Sequence, residues 1–348
     1  MDQANCQHLA WLEFVHARVE RRIICHQRLQ RLANQLPNKT AQAPSIALLL
    51  GRETKDQILR DVLPKGVLQK KASTQTTTLN LHADTASLNS QYPIYYAELD
   101  PLEHTCDIEL GNKTGCHVQQ HFQVSWPPES QKALLDAVIS RLLFLFTDVV
   151  CLFADDLGGF EATRRLLTTW ARLAIGSHTG TTIQPHVLVV YREPEKQCSA
   201  YEDFFPDLNR EVDTSRVFAA VKLVRLPQQY QRNRRERLKF AHELHDSFHK
   251  VRGDRMEASM LFVATHQAAL FQRALSHVTR TAATPFNFVK AARQGNEVSL
   301  NLIEHTENVL KLSQKLPSSV VVSVIASSAI LDAYPRHMHG GLNRLVGL

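Results

Sequence analysis

No stretch of this sequence is apolar for long enough to cross a bilayer. A spanning helix needs about 18 to 20 uninterrupted apolar residues, and the nearest approach, 134–153, is broken by Asp136, Arg141 and Asp148. The start, MDQANCQHLAWLEF, has no basic residues leading into an unbroken apolar segment and a small-residue cleavage site, so a secretory signal is not expected. Cysteine is sparse, six in 348 residues with no CxxC pair, which excludes a disulfide framework. These absences imply a cytoplasmic chain with free thiols, touching a membrane at most peripherally. With 13 Gly and 14 Pro the chain is neither fibrous nor low-complexity. The 44% hydrophobic and 21% charged residues fit a globular protein, long enough for one large or two smaller domains.

Catalytic signatures are missing too. There is no GxSxG turn to expose a nucleophilic serine and no Gly-Gly-Gly oxyanion loop, so the chain contains no recognisable acyl hydrolase. The net charge of +6 is concentrated: residues 228–255 hold eight Lys or Arg against four Asp or Glu, a local excess of +4. No broad basic face interleaved with aromatics accompanies it, which argues against a nucleic-acid partner. A basic helix over 232–255, with Arg232, Arg234, Arg235 and Arg237, could instead approach an anionic membrane, each cation being worth about 1 kcal/mol there.

Along the chain, residues 8–36 carry Leu12, Val15, Val19, Leu29, Leu32 and Leu36 at helical spacing between arginines. This predicts one long amphipathic helix, stopped by Pro37, so that 1–42 forms an N-terminal helix and linker. From Ser45 the pattern turns to short apolar runs, as in strands buried on both faces. Six are expected, at 46–50, 78–82, 94–99, 149–154, 186–191 and 218–226. Helix-length segments at 130–146 and 160–174 supply crossovers. The fold class is therefore α/β: a doubly wound, mostly parallel six-stranded sheet over 43–228, followed by an α-helical extension over 229–348. In that extension Phe240, Leu244, Phe248 and Val251 share one face of a helix, and 256–278 is rich in Ala, Leu and Phe.

Ligands of open α/β sheets sit beyond the carboxyl ends of the strands. At the first end, SIALLLGRETKDQIL, Gly51 and Lys55 stand where a phosphate loop would lie, but the loop does not spell GxxxxGK[ST]. Lys55 comes four residues after Gly51 instead of six, Thr54 replaces the second glycine, and Asp56 stands in place of the magnesium-binding hydroxyl. At the second end, PIYYAELDP, Glu98 and Asp100 could hold a metal or water, or simply close a turn. At the third, VVCLFADDLGGFEATRRLLTTWARLA, Asp155 and Asp156 fit either a cation site or a turn and helix start. The strand in PHVLVVYREPEK lacks the Asn-Lys-x-Asp base reader. Nucleotide-site candidates are Gly51, Lys55, Asp100 and Asp155, serving a nucleotide with magnesium.

Two further clusters have metal-ligating chemistry. His104, Cys106, Cys116, His117 and His121 lie within eighteen residues, so Cys106, Cys116, His117 and His121 are candidate ligands for a structural zinc, although without the usual knuckle spacing. In HELHDSFH, His242, His245 and His249 fall within about 60° of one another on a helix, but opposite the apolar stripe, which points to a solvated face.

Several segments resemble the region that precedes the catalytic domain in large fungal patatin-like phospholipases. They are LLLGRETKDQILRDVLP, the pair Cys116 and His117, VVCLFADDLGGFEATRRLLTTWA, LFVATHQAALF, PFNFVKAARQGNEV and ASSAILDAYPRHMH, and together they extend over most of the chain. The resemblance implies a degenerate, P-loop-like small-GTPase domain followed by helices, and a patatin-like catalytic domain as partner in cis or in trans. No catalytic serine or aspartate carries over. The GTPase-like character falls only on Gly51 and Lys55. Beyond His339 the residues GGLNRLVGL depart from the family's continuation, which implies a front fragment. The expected function is a non-catalytic module that regulates or positions a lipid acyl hydrolase, the alternatives being an atypical P-loop nucleotide hydrolase and the front part of an active phospholipase.

Overall fold

The computed structural model describes residues 9–16, 21–62, 77–100, 119–175, 184–192, 202–226, 234–258, 260–281, 284–288, 291 and 301–333. By contacts the chain divides into two units, Met1–Phe286 and Asn287–Leu348. In the first, strands β1 (Ala10–His16), β2 (Arg21–Cys25), β3 (Ser45–Leu50), β4 (Thr77–Ala83), β5 (Ile94–Leu99), β6 (Gln120–Gln123), β7 (Val149–Phe153), β8 (His186–Arg192) and β9 (Ala220–Leu226) form one sheet in the order β6-β2-β1-β4-β5-β3-β7-β8-β9. From β5 to β9 the pairing is parallel; from β6 to β5 it is antiparallel.

All six expected strands are present, within a nine-stranded mixed sheet instead of a six-stranded, mostly parallel one. The difference comes from the N-terminal segment. Residues 8–36 are not one amphipathic helix: β1 and β2 pair in antiparallel register, and among the described residues of this segment only α1 (Arg28–Gln35) is helical. Their side chains show why. Trp11, Leu12, Phe14, Ile23, Ile24 and Cys25 are all buried although neighbours in sequence point to opposite faces of the strand. This segment therefore meets protein on both sides, and a helix with one apolar stripe could not bury it.

The parallel strands are just as enclosed: every residue of β3 and β7 is buried. On one face, Ala47, Leu49, Val149, Cys151, Phe153, Leu188 and Val190 pack with Ile58 of α2 (Glu53–Val62) and with Phe240, Leu244 and Phe248 of α7 (Arg234–Glu257). The stripe expected on α7 thus belongs to the core of the sheet unit. Ile46, Leu48, Val150 and Leu152 alternate to the other face and are also fully buried. The crossover before β7 starts at α3 (Gln131–Val138), capped by the Ser130 hydroxyl on the Ala133 amide, and continues through a π turn at Ile139–Leu143 into α4 (Phe144–Phe146). The crossover after β7 is α5 (Gly159–Ile175), entered through Gly158 and Gly159 at φ 94° and 90°, a backbone that disfavours any side chain. Next comes α6 (Phe204–Glu211) before β9, and α8 (Ala264–Arg280) stacks Phe271 on Trp11 of β1 with ring centroids 4.6 Å apart.

The second unit contains α9 (Leu302–Leu312) and α10 (Ser318–Ala333). Among the described residues no helix is long and apolar enough to cross a membrane.

Candidate functional site

The central strand β3 is flanked by β5 on one side and β7 on the other, both parallel to it, so the crevice of the parallel sheet lies beyond the carboxyl ends of these three strands. Gly51 follows β3, Asp100 follows β5, and the turn Ala154–Leu157 follows β7. The sequence places its nucleotide candidates here, and the fold does bring Gly51, Lys55, Asp100 and Asp155 to this end.

Their geometry is not that of a phosphate cradle. Asp156 lies across the start of α2, where its carboxylate accepts the Arg52 amide at 2.7 Å, the Thr54 amide at 3.0 Å and the Lys55 amide at 3.0 Å. The first amides of a helix have no partner within it and attract anions. Here the anion is the protein's own side chain. Gly51 makes room for it: a Cβ on that residue would meet Asp156 Oδ2 at 2.7 Å and Phe153 Cβ at 2.9 Å.

Lys55, the residue that would neutralise phosphate, points inward and is fully buried. Its Nζ lies 2.8 Å from Glu98 Oε2 and 3.1 Å from Asp56 Oδ1. The other oxygen of Glu98 takes His82 Nε2 at 3.1 Å and Asn80 Nδ2 at 3.3 Å. Burial alone would raise the Glu98 carboxyl, but the hydrogen bond from His82 and the charge of Lys55 outweigh it and hold the group well below the usual carboxylate range. For Lys55 burial works against the charged form, while Glu98 and then Asp56 more than compensate, so its ammonium is held above its ordinary value.

The remaining acids are committed in the same way. Asp100 Oδ2 receives Arg52 Nε at 2.6 Å, and Asp155 Oδ2 accepts the Arg192 amide at 2.9 Å. Arg192 in turn donates to Gln57 of α2 at 2.6 Å. Lys55, Asp100, Asp155 and Asp156 thus each have a partner inside the protein, and the set can stabilise the turn.

Sequence reasoning weighed Asp155 and Asp156 together and took Asp155 as the nucleotide candidate; in the fold Asp156 holds the amides at the start of α2 and Asp155 the Arg192 amide, while Glu98, His82 and Asn80 were not joined as a set. A lone acid in the apolar run YYAEL and a lone histidine in LNLHA were the available signals, since a buried charge requires a buried partner.

Of the zinc candidates, Cys106, Cys116 and His117 lie outside the described residues, and His121 sits exposed on the short strand β6. His242, His245 and His249 are exposed on α7, opposite its buried stripe, with His242 Nδ1 3.3 Å from Asp246. Among the described residues no three His, Cys, Asp or Glu side chains are grouped to hold a metal ion. Of the basic segment expected over 232–255, Arg252 on α7 lies over the Tyr92 ring at 4.0 Å and Arg255 pairs with Asp148 at 2.8 Å. No protein-family model matches the chain, and no curated protein matches it.

Proposed function

We propose that the α/β unit is a non-catalytic, GTPase-like module that works by contact, regulating or positioning a patatin-like lipid acyl hydrolase joined to it or bound in trans. One observation carries the non-catalytic half of this reading: the Asp156 carboxylate sits on three amides at the start of α2, those of Arg52, Thr54 and Lys55, where a phosphate would bind. The lipid-hydrolase half rests on the resemblance of FADDLGG, LDAYPRHMH and the other matching segments. Nucleotide hydrolysis would require two breaks together, Asp156 leaving its amides and Lys55 leaving Glu98. A triphosphate brought to this end would also meet the carboxylates of Asp56, Asp100, Asp155 and Asp156, and like charges in a partly dry site repel strongly.

Calorimetric titration with Mg-GTP and Mg-ATP tests the first half, and the expected outcome is no saturable heat up to millimolar nucleotide. Saturable binding that disappears in Lys55→Ala would overturn it in favour of an atypical hydrolase. The second half is tested by adding the purified chain to a patatin-like phospholipase domain acting on mixed micelles. A saturable change in hydrolysis rate is expected, and an unchanged rate with no complex in sedimentation would remove the proposed partner.

A further inference from the structure

We infer that α10, together with α9 before it, is a lipid-binding element that enters the boundary between headgroups and acyl chains of a phospholipid surface. The inference is drawn from the second unit alone. It goes beyond the interaction reading of the sheet unit and stands or falls apart from it.

Helix α10 has no polar face. From Ser318 to Leu331 its sequence holds no charged residue, and Val320, Val321, Val322, Val324 and Ile325 crowd its first half. At about 100° per residue Val322 and Val324 stand roughly 200° apart, yet they are 64% and 51% exposed. Of the described side chains of α10 only Val321 is buried. A helix that is apolar on every side belongs in a protein core or in lipid. β-Branched residues are also weak helix formers in water, so this helix gains from a medium in which each backbone group must be bonded within the segment. Ser323 already meets that requirement with its side chain, the hydroxyl donating to the Ser319 carbonyl at 2.8 Å.

The placement of these groups selects a lipid surface over a protein partner. A second helix, from another copy of the chain or from a different protein, covers a stripe on one side and would leave either Val322 or Val324 in water. A fluid apolar medium reaches both. Helix α9 has the division expected of a helix lying in the plane of such a surface: Ile303, Val309 and Leu310 share one side, Glu304, Glu307 and Lys311 the other, and all six are exposed. Lys311 Nζ lies 3.8 Å from Glu307 on that polar side. At the passage between the helices Leu312 and Leu316 are exposed as well, next in sequence to Lys311 and Lys315. With its 16 residues α10 is about 24 Å long. The hydrocarbon core of a bilayer is about 30 Å thick, so α10 enters the near leaflet without crossing.

The test is flotation of the whole chain with vesicles of phosphatidylcholine alone and of phosphatidylcholine mixed with phosphatidylserine, at low and at high salt. Entry of an apolar helix predicts binding to both kinds that survives high salt, with phosphatidylserine strengthening it by about tenfold at low salt through Lys311 and Lys315. Val322→Asp and Val324→Asp, made singly, are each expected to lose about tenfold or more in affinity, because a carboxylate is costly in the apolar layer on whichever side of the helix it stands. Hydrogen exchange gives a readout independent of the variants: the amides of 318–331 should slow when phosphatidylcholine vesicles are added. The inference is overturned by binding that needs phosphatidylserine and vanishes in salt, which would assign it to the basic residues of α7. It is equally overturned by a loss in only one of the two variants, which marks a single docking face for a protein, by self-association that protects the same amides without lipid, or by no flotation at all. The nucleotide titration contains no lipid and reads the other unit, so failure here leaves it untouched.

Discussion

At the start of β7, Asp148 accepts the Ile46 amide at 2.8 Å and is neutralised by Arg255 at 2.8 Å, both side chains being almost wholly enclosed. Just past the end of the same strand, Asp156 accepts three amides from the turn after β3, and among the described residues no cation pairs with it. One carboxylate binds backbone at the start of β3 and the other binds backbone just beyond its end, yet only the first is paired with a counter-charge. The end of the sheet where α2 begins supplies its own positive potential through aligned, unpartnered amides. The other end has none, and burial pushes the Asp148 carboxyl upward against the pull of Arg255. The position of Asp156 is therefore one where an anion can be held by backbone alone, the property used by phosphate-binding folds, and this chain fills it from within.

The sharpest way to break the contrast is to remove the cation at the Asp148 end. Arg255→Met removes the ion-paired cation from the buried Asp148 and leaves only the charge of Arg252 near it, a change expected to cost about 3 kcal/mol. Urea unfolding should show that loss, with part of it regained when Asp148→Leu is added. A loss under about 1 kcal/mol would mean that solvent already screens the pair.

Comparable in size is the network beneath Asp156. Lys55→Met strands Glu98 against His82 and Asn80, and a loss of about 3 kcal/mol is expected in the same measurement. The pH dependence has a definite sign. The Glu98 carboxyl is held below its ordinary value of 4.5, so its contribution is present above that value and fades as pH falls through the lowered one. Lys55 is held above 10.5, so its contribution is present below that value and is lost as pH rises through the raised one. Stability from this network is thus flat across neutral pH and falls at both extremes. Glu98→Gln should flatten the acid limb of a urea-midpoint profile; an unchanged acid limb would place the acid sensitivity elsewhere.

The parallel half of the sheet was legible because its strands are buried on both faces and read as unbroken apolar runs, as in SIALLL and VVCLF. The antiparallel pair of β1 and β2 was not, because Leu12, Val15 and Val19 happen to repeat at a helical interval and the arginines between them suggested a polar face. Only tertiary packing, with Phe271 against Trp11, favours the strand. At the site the sequence offered two neighbouring acids whose roles separate only in the fold. An adjacent pair, Asp155 and Asp156, cannot be told apart by type, and the two diverge only when the turn into Gly158 sends one carboxylate toward α2 and the other toward the Arg192 amide.

The smallest expected effect tests the Asp156 position most directly. Asp156→Ala leaves the Arg52, Thr54 and Lys55 amides to water, comparable to deleting a helix cap, and should cost about 1 to 2 kcal/mol. Asp156→Asn retains an acceptor oxygen and should cost less. Neither change moves Lys55 away from Glu98, because that pair is held from β5 and is fully buried. The Ala variant should therefore gain weak inorganic-phosphate binding at the bared amides, visible as chemical-shift changes confined to residues 51–56, without gaining Mg-nucleotide binding. If it instead binds Mg-GTP at micromolar concentration, a single carboxylate is all that separates this module from a nucleotide site, and the buried lysine must be able to turn outward. If it binds neither, the amides at the start of α2 are held by water as well as by Asp156, and the equivalence between the carboxylate and a phosphate fails.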